Sequence, residues 1–335
     1  MFDFTTRDSW LRYVGSPAAQ QAVGIQAAGR QNYNLRGPVS KHSNVRSMLT
    51  IYELGLLYAL ARDHWKGRGG IIDAGPLLGA STFAFGLGLT HNGIAHPQER
   101  EASIYSYDLW IADDYYKGFM GAERRPKTPS LLHEFNKINR DFADFIVPHQ
   151  GDFRSWSWSE APIEILFMDL AKTWELNGHY VRTMLPHLIE DAALIQQDYV
   201  HFNEYWIHIT MEYFVDHFEF VDAIYGATAY FRVKTPLTAA ECAIDLRAMP
   251  YIEKMNLLER ARSRMPAGVQ EVMKCAAAKC AGEHGDFPKA KELLESVDLT
   301  PNTDPVYNFS GIATSNKAVV EKMLADAAKK AATAA

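Results

Sequence analysis

Ile71 to Leu89 reads IIDAGPLLGASTFAFGLGL, an apolar strand that runs into an acidic residue, two spaced glycines and a Ser-Thr helix start. That combination is a nucleotide-site signature. A strand here delivers Asp73 to the carboxyl edge of a parallel sheet, where open α/β folds place their ligands, and Gly75 and Gly79 let the backbone come close. Ser81 and Thr82 are expected to cap the following helix, whose positive end suits a carboxylate or phosphate. A glycine loop alone also describes a tight turn into a buried helix.

Working outward, the apolar positions of Asn44 to Trp65 suit a mostly buried helix ended by Lys66-Gly67-Arg68-Gly69-Gly70. Downstream, apolar runs predict strands near 71–74, 103–108, 145–149, 163–169 and 192–198, with helical stretches between them. This alternation implies an α/β fold with a mostly parallel sheet covered on both faces. Two further runs, 217–224 and 228–233, are joined by a link too short for a parallel crossover. They must form an antiparallel hairpin, so the sheet ends with one reversed strand.

Residues 1–43 are mixed in polarity and predict an N-terminal cap segment of short helices and loops. From Thr235 the composition shifts to Ala, Glu, Lys, Leu and Met, which predicts a helical C-terminal extension over 235–335. Helices are expected near 238–264, with a Thr238/Glu241 capping box, then 267–281, 287–297 and along the Ala/Lys-rich tail from Lys317.

The 335 residues exceed one small core, and 47% hydrophobic content supports a folded globule. A net charge of -6 and a pI near 6.1 provide no basic stripe for a phosphate backbone, so nucleic acid is not an expected partner. No run reaches the roughly 18 apolar residues that span a bilayer, and Met1 to Arg7 lacks a secretory h-region, which predicts a cytoplasmic chain with no membrane partner. The three cysteines, Cys242, Cys275 and Cys280, make no disulfide framework. Cys275 and Cys280 sit about 140° apart on a helix, which disfavours a metal pair.

Five parallel strands closed by a hairpin resemble the Rossmann-like class I methyltransferases that use S-adenosylmethionine, and residues 44–234 carry the likeness. The closest resemblance is to small-molecule O-methyltransferases of the macrocin and cephalosporin-cluster type. Their first motif, acidic-x-Gly-x-x-x-Gly-x-Ser-Thr, is matched by Asp73, Gly75, Gly79, Ser81 and Thr82. The resemblance implies that this loop wraps the methionine moiety of the cofactor. It also implies that Asp108 holds the ribose hydroxyls and that the Gly151-Asp152 element borders the adenine. Asp169, which ends the fourth strand, is implied to face the reacting methyl and, with acids ending the fifth strand, to hold a divalent metal such as Mg2+. Here Gln197 stands at one of those acidic positions and Asp198 at the other.

A metal-free route would use Lys172 or His201 as general base toward the acceptor hydroxyl. His208 and Glu212, one helical turn apart, are read as a structural pair. The insertion 109–143 carries Trp110, Asp113, Asp114, Tyr115, Tyr116, Arg124 and Arg125, and reads either as a lid whose rings stack the acceptor or as a covering subdomain. The reading is O-methylation of a small-molecule acceptor, compatible with a homo-oligomer. Glu190-Asp191 replaces the family's Gly-Gly turn, and the thinned metal acids keep open a catalytically inactive, methyltransferase-like binding or scaffold protein. An NAD-dependent oxidoreductase fits less well, because Gly75-x-x-x-Gly79 lacks the dinucleotide fingerprint.

Overall fold

The structure, a computed structural model, describes residues 25–28, 32–35, 47–94, 103–112, 130–158, 162–224, 226–301 and 309–334. Strand β3 (Gly70–Ala74) is buried at every position. A continuous apolar run flanked on both sides by parallel neighbours takes this form, because helices cover both of its faces. It pairs in parallel with β4 (Ile104–Asp108) on one side and β6 (Ile163–Met168) on the other, and β4 pairs in parallel with β5 (Ile146–Gln150). With β7 (Leu188–Gln196), β8 (Phe218–Ile224) and β9 (Thr228–Val233), the seven-stranded order is β5-β4-β3-β6-β7-β9-β8. Strands β8 and β9 form the antiparallel hairpin demanded by the short link, with a bulge between Phe220 and Asp222.

Within the expected N-terminal helical cap, the described residues are strands. β1 (Ile25–Ala28) and β2 (Asn32–Leu35) pair antiparallel, and the remainder of 1–43 lies outside the described residues. The helix expected over 44–65 begins later, as α1 (Ile51–Ala59), because Thr50 and Glu53 close a reciprocal capping box. It runs on as a π segment, Leu60–His64. Helix α2 (Ala80–Thr90) is buried except at its last residue. Between β4 and β5 lies α3 (Leu132–Ile138), and α4 (Trp174–Thr183) precedes β7.

By its contacts the chain divides into two units, the first comprising residues 1–170 and 183–195 and the second 171–182 and 196–335. In the first, Glu164 of β6 is a fully buried carboxylate that receives the N–H groups of Lys66 (2.8 Å), Arg68 (2.9 Å) and Gly69 (3.3 Å). The polar loop before β3 is thereby fastened to the sheet, since a buried carboxylate must find several donors. Strand β7 starts four residues before its expected position and takes in Glu190 and Asp191. Asp191 adopts φ 71°, so the left-handed step expected of glycine survives in a residue type that tolerates it.

In the second unit, α5 (Tyr205–Tyr213) is buried from Tyr205 to Glu212. The helix expected over 238–264 is broken. The Thr238/Glu241 box forms, but it starts a short 3-10 turn, and Pro250 then caps α6 (Tyr251–Ser263). A residue before proline is steered out of the helical region, so the chain breaks at Met249-Pro250. α7 (Ala267–Glu283), α8 (Phe287–Glu295) and α9 (Ser310–Ala334) follow. Glu212 of α5 receives Arg260 (3.3 Å) and Arg264 (2.9 Å), and Tyr205 donates to Glu283 (2.7 Å). Lys279 lies over the Tyr205 and Trp206 rings. Cys242, Cys275 and Cys280 are buried and unbridged, and burial pushes each thiol up to about 12. Among the described residues no helix is long and apolar enough to cross a membrane.

Candidate functional site

The glycine loop in the first unit is shaped by close approach. Gly75 has φ 99°, and a Cβ there would sit 3.0 Å from the carbonyl oxygen of Asp169. Gly79 has φ 93°, and its Cβ would meet the Asn139 amide at 2.1 Å and the Phe135 ring at 2.8 Å. Both glycines are therefore required by the protein's own packing, before any ligand is considered. The amide of Asn139 also donates to the Gly79 carbonyl (3.3 Å), which closes the turn from behind.

Asp73 reaches the end of β3, but its carboxylate is fully buried. It accepts from the Ser81 hydroxyl (2.9 Å) and the Thr82 hydroxyl (2.5 Å), and Thr82 also meets the Ser106 hydroxyl (3.2 Å). Ser81 and Thr82 therefore do not cap α2. Gly79 occupies the cap position with no side-chain hydrogen bond, and the two hydroxyls tie the helix start back to the strand. The side chains of Asp73, Ser81 and Thr82 are spent on one another and set the shape of the loop. Burial pushes the Asp73 carboxyl up to about 7, against the lowering effect of the two hydroxyls.

Asp108 ends β4 beside this loop. One carboxylate oxygen accepts the Leu77 N–H (2.9 Å) and the other the Trp110 N–H (2.7 Å). Leu77 and Trp110 both hold left-handed backbone, φ 51° and 46°, an uncommon conformation for such bulky residues. The Trp110 indole also donates to the Leu77 carbonyl (2.8 Å), so the two strained turns are braced across Asp108. Burial raises the carboxyl's pKa, and these backbone donors pull it back. Trp110 itself is buried in a cluster with Leu78, Ala112, Leu131 and Phe135. That part of the 109–143 insertion is core rather than a stacking platform for an acceptor. Asp113, Asp114, Tyr115, Tyr116, Arg124 and Arg125 lie outside the described residues.

Asp152 caps a 3-10 turn, accepts the Arg154 N–H (2.9 Å) and pairs with the Arg154 guanidinium at 2.5 Å. Behind it, the rings of Tyr107 and His149 stack at 4.6 Å, with Trp156 edge-on to His149. Asp169 is half-buried just past β6, and its N–H donates to the Ala74 carbonyl (2.8 Å).

In the second unit, the ammonium of Lys172 pairs with the Asp198 carboxylate. The Gln197 amide oxygen, the third oxygen expected at a metal, is turned inward and accepts the Thr228 hydroxyl. Asp198 stands in left-handed backbone, φ 61°. His201 Nδ1 meets Glu204 Oε2 at 2.9 Å, and Asn203 donates to the other Glu204 oxygen (2.8 Å). Glu204 is buried while the His201 side chain is about one-third exposed. Asp198, His201 and Glu204 offer ligand atoms all within 4.8 Å of one another. Glu204 escaped the sequence reading. His201-x-x-Glu204, spaced by one short turn, could have pointed to it. His208 and Glu212 do not form the expected pair: His208 bonds the Tyr199 carbonyl (2.5 Å), while Glu212 takes the two arginines. Burial lowers His208 to about 4.

No family model matches the chain, and no curated protein matches it. Among solved structures it is similar to the O-methyltransferase NovP at 15% identity, over 65% of this chain and 96% of that one, with a TM-score of 0.45. It is also similar to a methyltransferase from Geobacter sulfurreducens at 16% identity, over 54% and 77% of the two chains, with a TM-score of 0.35. The apo structure of CalS11, a TDP-rhamnose 3'-O-methyltransferase, matches at 19% identity, over 54% and 76%, with a TM-score of 0.37.

Proposed function

We propose that the chain transfers a methyl group from S-adenosylmethionine to an oxygen of a small molecule. The observation that carries this reading is the loop between β3 and α2, held open by left-handed Gly75 and Gly79 and facing the Asp108 carboxylate at the next strand end. A carboxylate has about four acceptor positions, so Asp108 keeps capacity for ribose hydroxyls after serving Leu77 and Trp110. The first N–H groups of α2 point from a helix start with no side-chain cap and suit a carboxylate such as the cofactor's. The residues therefore fit the cofactor, with Asp73, Ser81 and Thr82 shaping the loop from behind.

The oxygens expected at a metal, those of Asp198 and Gln197, fit a divalent ion poorly. Lys172 neutralises Asp198, and Gln197 is committed to Thr228, so the expected oxygen set is not presented. We assign the chemistry to His201 instead. Bound S-adenosylmethionine supplies an electrophilic methyl group. Glu204 holds Nδ1 of His201 and so favours the tautomer whose Nε2 is a base. Nε2 would take the proton of the acceptor hydroxyl, making its oxygen a nucleophile toward the methyl group that the cofactor would supply. The imidazolium so formed is stabilised by the Glu204 carboxylate. Lys172 forms an ion pair with Asp198, which stands three residues before His201. The three buried, unbridged thiols suit a reducing compartment such as the cytoplasm.

Calorimetric titration with S-adenosylhomocysteine and NAD, with EDTA or Mg2+, tests the assignment. S-adenosylhomocysteine should bind under both conditions and NAD under neither. Binding of NAD alone, or of neither ligand, overturns it.

A further inference from the structure

The turn from β7 into α5 gathers three metal-ligating side chains of the second unit: Asp198 in left-handed backbone, His201, and Glu204 just before the helix. Each offers one ligand atom, and these atoms lie within 4.8 Å of one another. His201 Nδ1 and Glu204 Oε2 are 2.9 Å apart. Two atoms bound at right angles to one ion, each at about 2.1 Å, are separated by about 3 Å, so this pair already has the spread of adjacent ligands. Ligands on opposite sides of an ion stand about 4.2 Å apart, so a shift of roughly half an ångström brings in Asp198.

The charges at the turn call for a cation. The Glu204 side chain is only 6% exposed, and among the described residues its charged partner is His201, a cation only when protonated. Asn203 supplies it with no more than an amide donor. A buried carboxylate needs a paired charge or a metal ion. Asp198 is matched by Lys172, but that side chain is 43% exposed on a flexible stem, so its ammonium can leave the carboxylate for water. The turn then presents two carboxylates and one imidazole. Magnesium and calcium favour oxygen ligands alone, whereas imidazole beside carboxylate suits zinc and its neighbours in the first transition row.

We infer that Asp198, His201 and Glu204 form a binding site for a transition-metal ion of the zinc class, entered when Lys172 swings away from Asp198. The set differs from the one implied by resemblance, since Asp169 and Gln197 take no part and two of its three ligands follow Asp198 in the turn. Binding requires neither cofactor nor acceptor, so it stands apart from the methyl-transfer reading. One consequence rests on that reading: a neutral imidazole that binds metal through Nδ1 carries its proton on Nε2, so the ion and the proposed base exclude each other.

The test is titration of the full chain with Co2+, whose visible absorption reports its ligands, in the presence of excess Mg2+. Saturable one-to-one binding is expected, without the intense near-ultraviolet band of a cobalt thiolate, and Zn2+ should displace the ion. His201→Ala and Glu204→Gln should each weaken binding by about tenfold or more. Lys172→Ala should tighten it about tenfold, a gain that no folding defect produces. The inference is overturned by the absence of saturable Co2+ binding, by a thiolate band, by His201→Ala binding as the parent chain does, or by no gain in Lys172→Ala. Titration with S-adenosylhomocysteine in EDTA judges the methyl-transfer reading separately.

Discussion

Asp108 has two tasks, and they set opposite demands on any substitution. Its carboxylate supports Leu77 and Trp110 in left-handed backbone while retaining acceptor capacity for a ligand. Asp108→Ala should weaken S-adenosylhomocysteine binding roughly 10- to 150-fold, the equivalent of a charged hydrogen bond of about 1.5 to 3 kcal/mol. It should also lower the melting temperature, because two backbone donors lose their partner. Asp108→Asn keeps one acceptor oxygen and should fall between. The position of Asp108 at a strand end was visible in the sequence, whereas its brace was not, because the donors come from loops whose left-handed turns no residue type announces. Asp73 responds to pH. Its folded pKa is raised to about 7 above an unfolded value near 3.8, so the folded state binds the extra proton between those values. Stability from this group is present below pH 4 and is lost as pH rises through 7. Asp73→Asn should therefore show a flatter decline in urea-unfolding free energy between pH 4 and 7 than the parent chain. At the proposed base, Glu204→Gln should lower kcat with little change in KM, and His201→Ala should lower kcat further. A turnover abolished by EDTA and restored by Mg2+, with His201→Ala fully active, would refute the metal-free route.

At the scale of elements, the strands of the seven-stranded sheet were legible because apolar runs, glycine punctuation and the short hairpin link each admit few alternatives, whereas β1 and β2 fell in a segment read as short helices and loops. The strand β9 (Thr228–Val233) begins and ends where its run of residues does. What escaped were partners remote in sequence. Glu164 reads as one polar residue in an apolar strand, yet it gathers three N–H groups from residues almost a hundred positions earlier. Gln197 reads as a weakened metal ligand, and only the hairpin shows that Thr228 claims its oxygen. Gly79 also changes meaning. A side chain there cannot be a clean probe of ligand binding, since it would strike Asn139 and Phe135 of the protein itself. Gly79→Ala should destabilise the chain by about 1–3 kcal/mol in chemical denaturation, from strained backbone and the clash together. Loss of cofactor affinity without any loss of stability would contradict that packing.

For the molecule as a whole, the helices after Thr235 belong to the same compact unit as the hairpin and α5. Removing 235–335 would strip Glu212 of both arginines and Tyr205 of Glu283, leaving a buried carboxylate unpaired. A chain truncated after Lys234 should be insoluble or molten by circular dichroism, and a well-folded truncated protein would show that the helices merely decorate the core. The compositional shift at Thr235 showed where helices begin but could not show what they cover, because the docking depends on Tyr205, Glu212 and Lys279, which lie on both sides of it. The cysteines give this second unit a property the first lacks. All three thiols lie within it, and with pKa values raised to about 12 they stay protonated at neutral pH. An aromatic disulfide reagent can reach them only when the surrounding helices part, so the rate of colour development clocks that opening. Cys275 and Cys280 share α7 and should react together, with Cys242 on its own schedule if its turn frays first. The chain thus carries internal stopwatches that time one half of the molecule and are silent about the other.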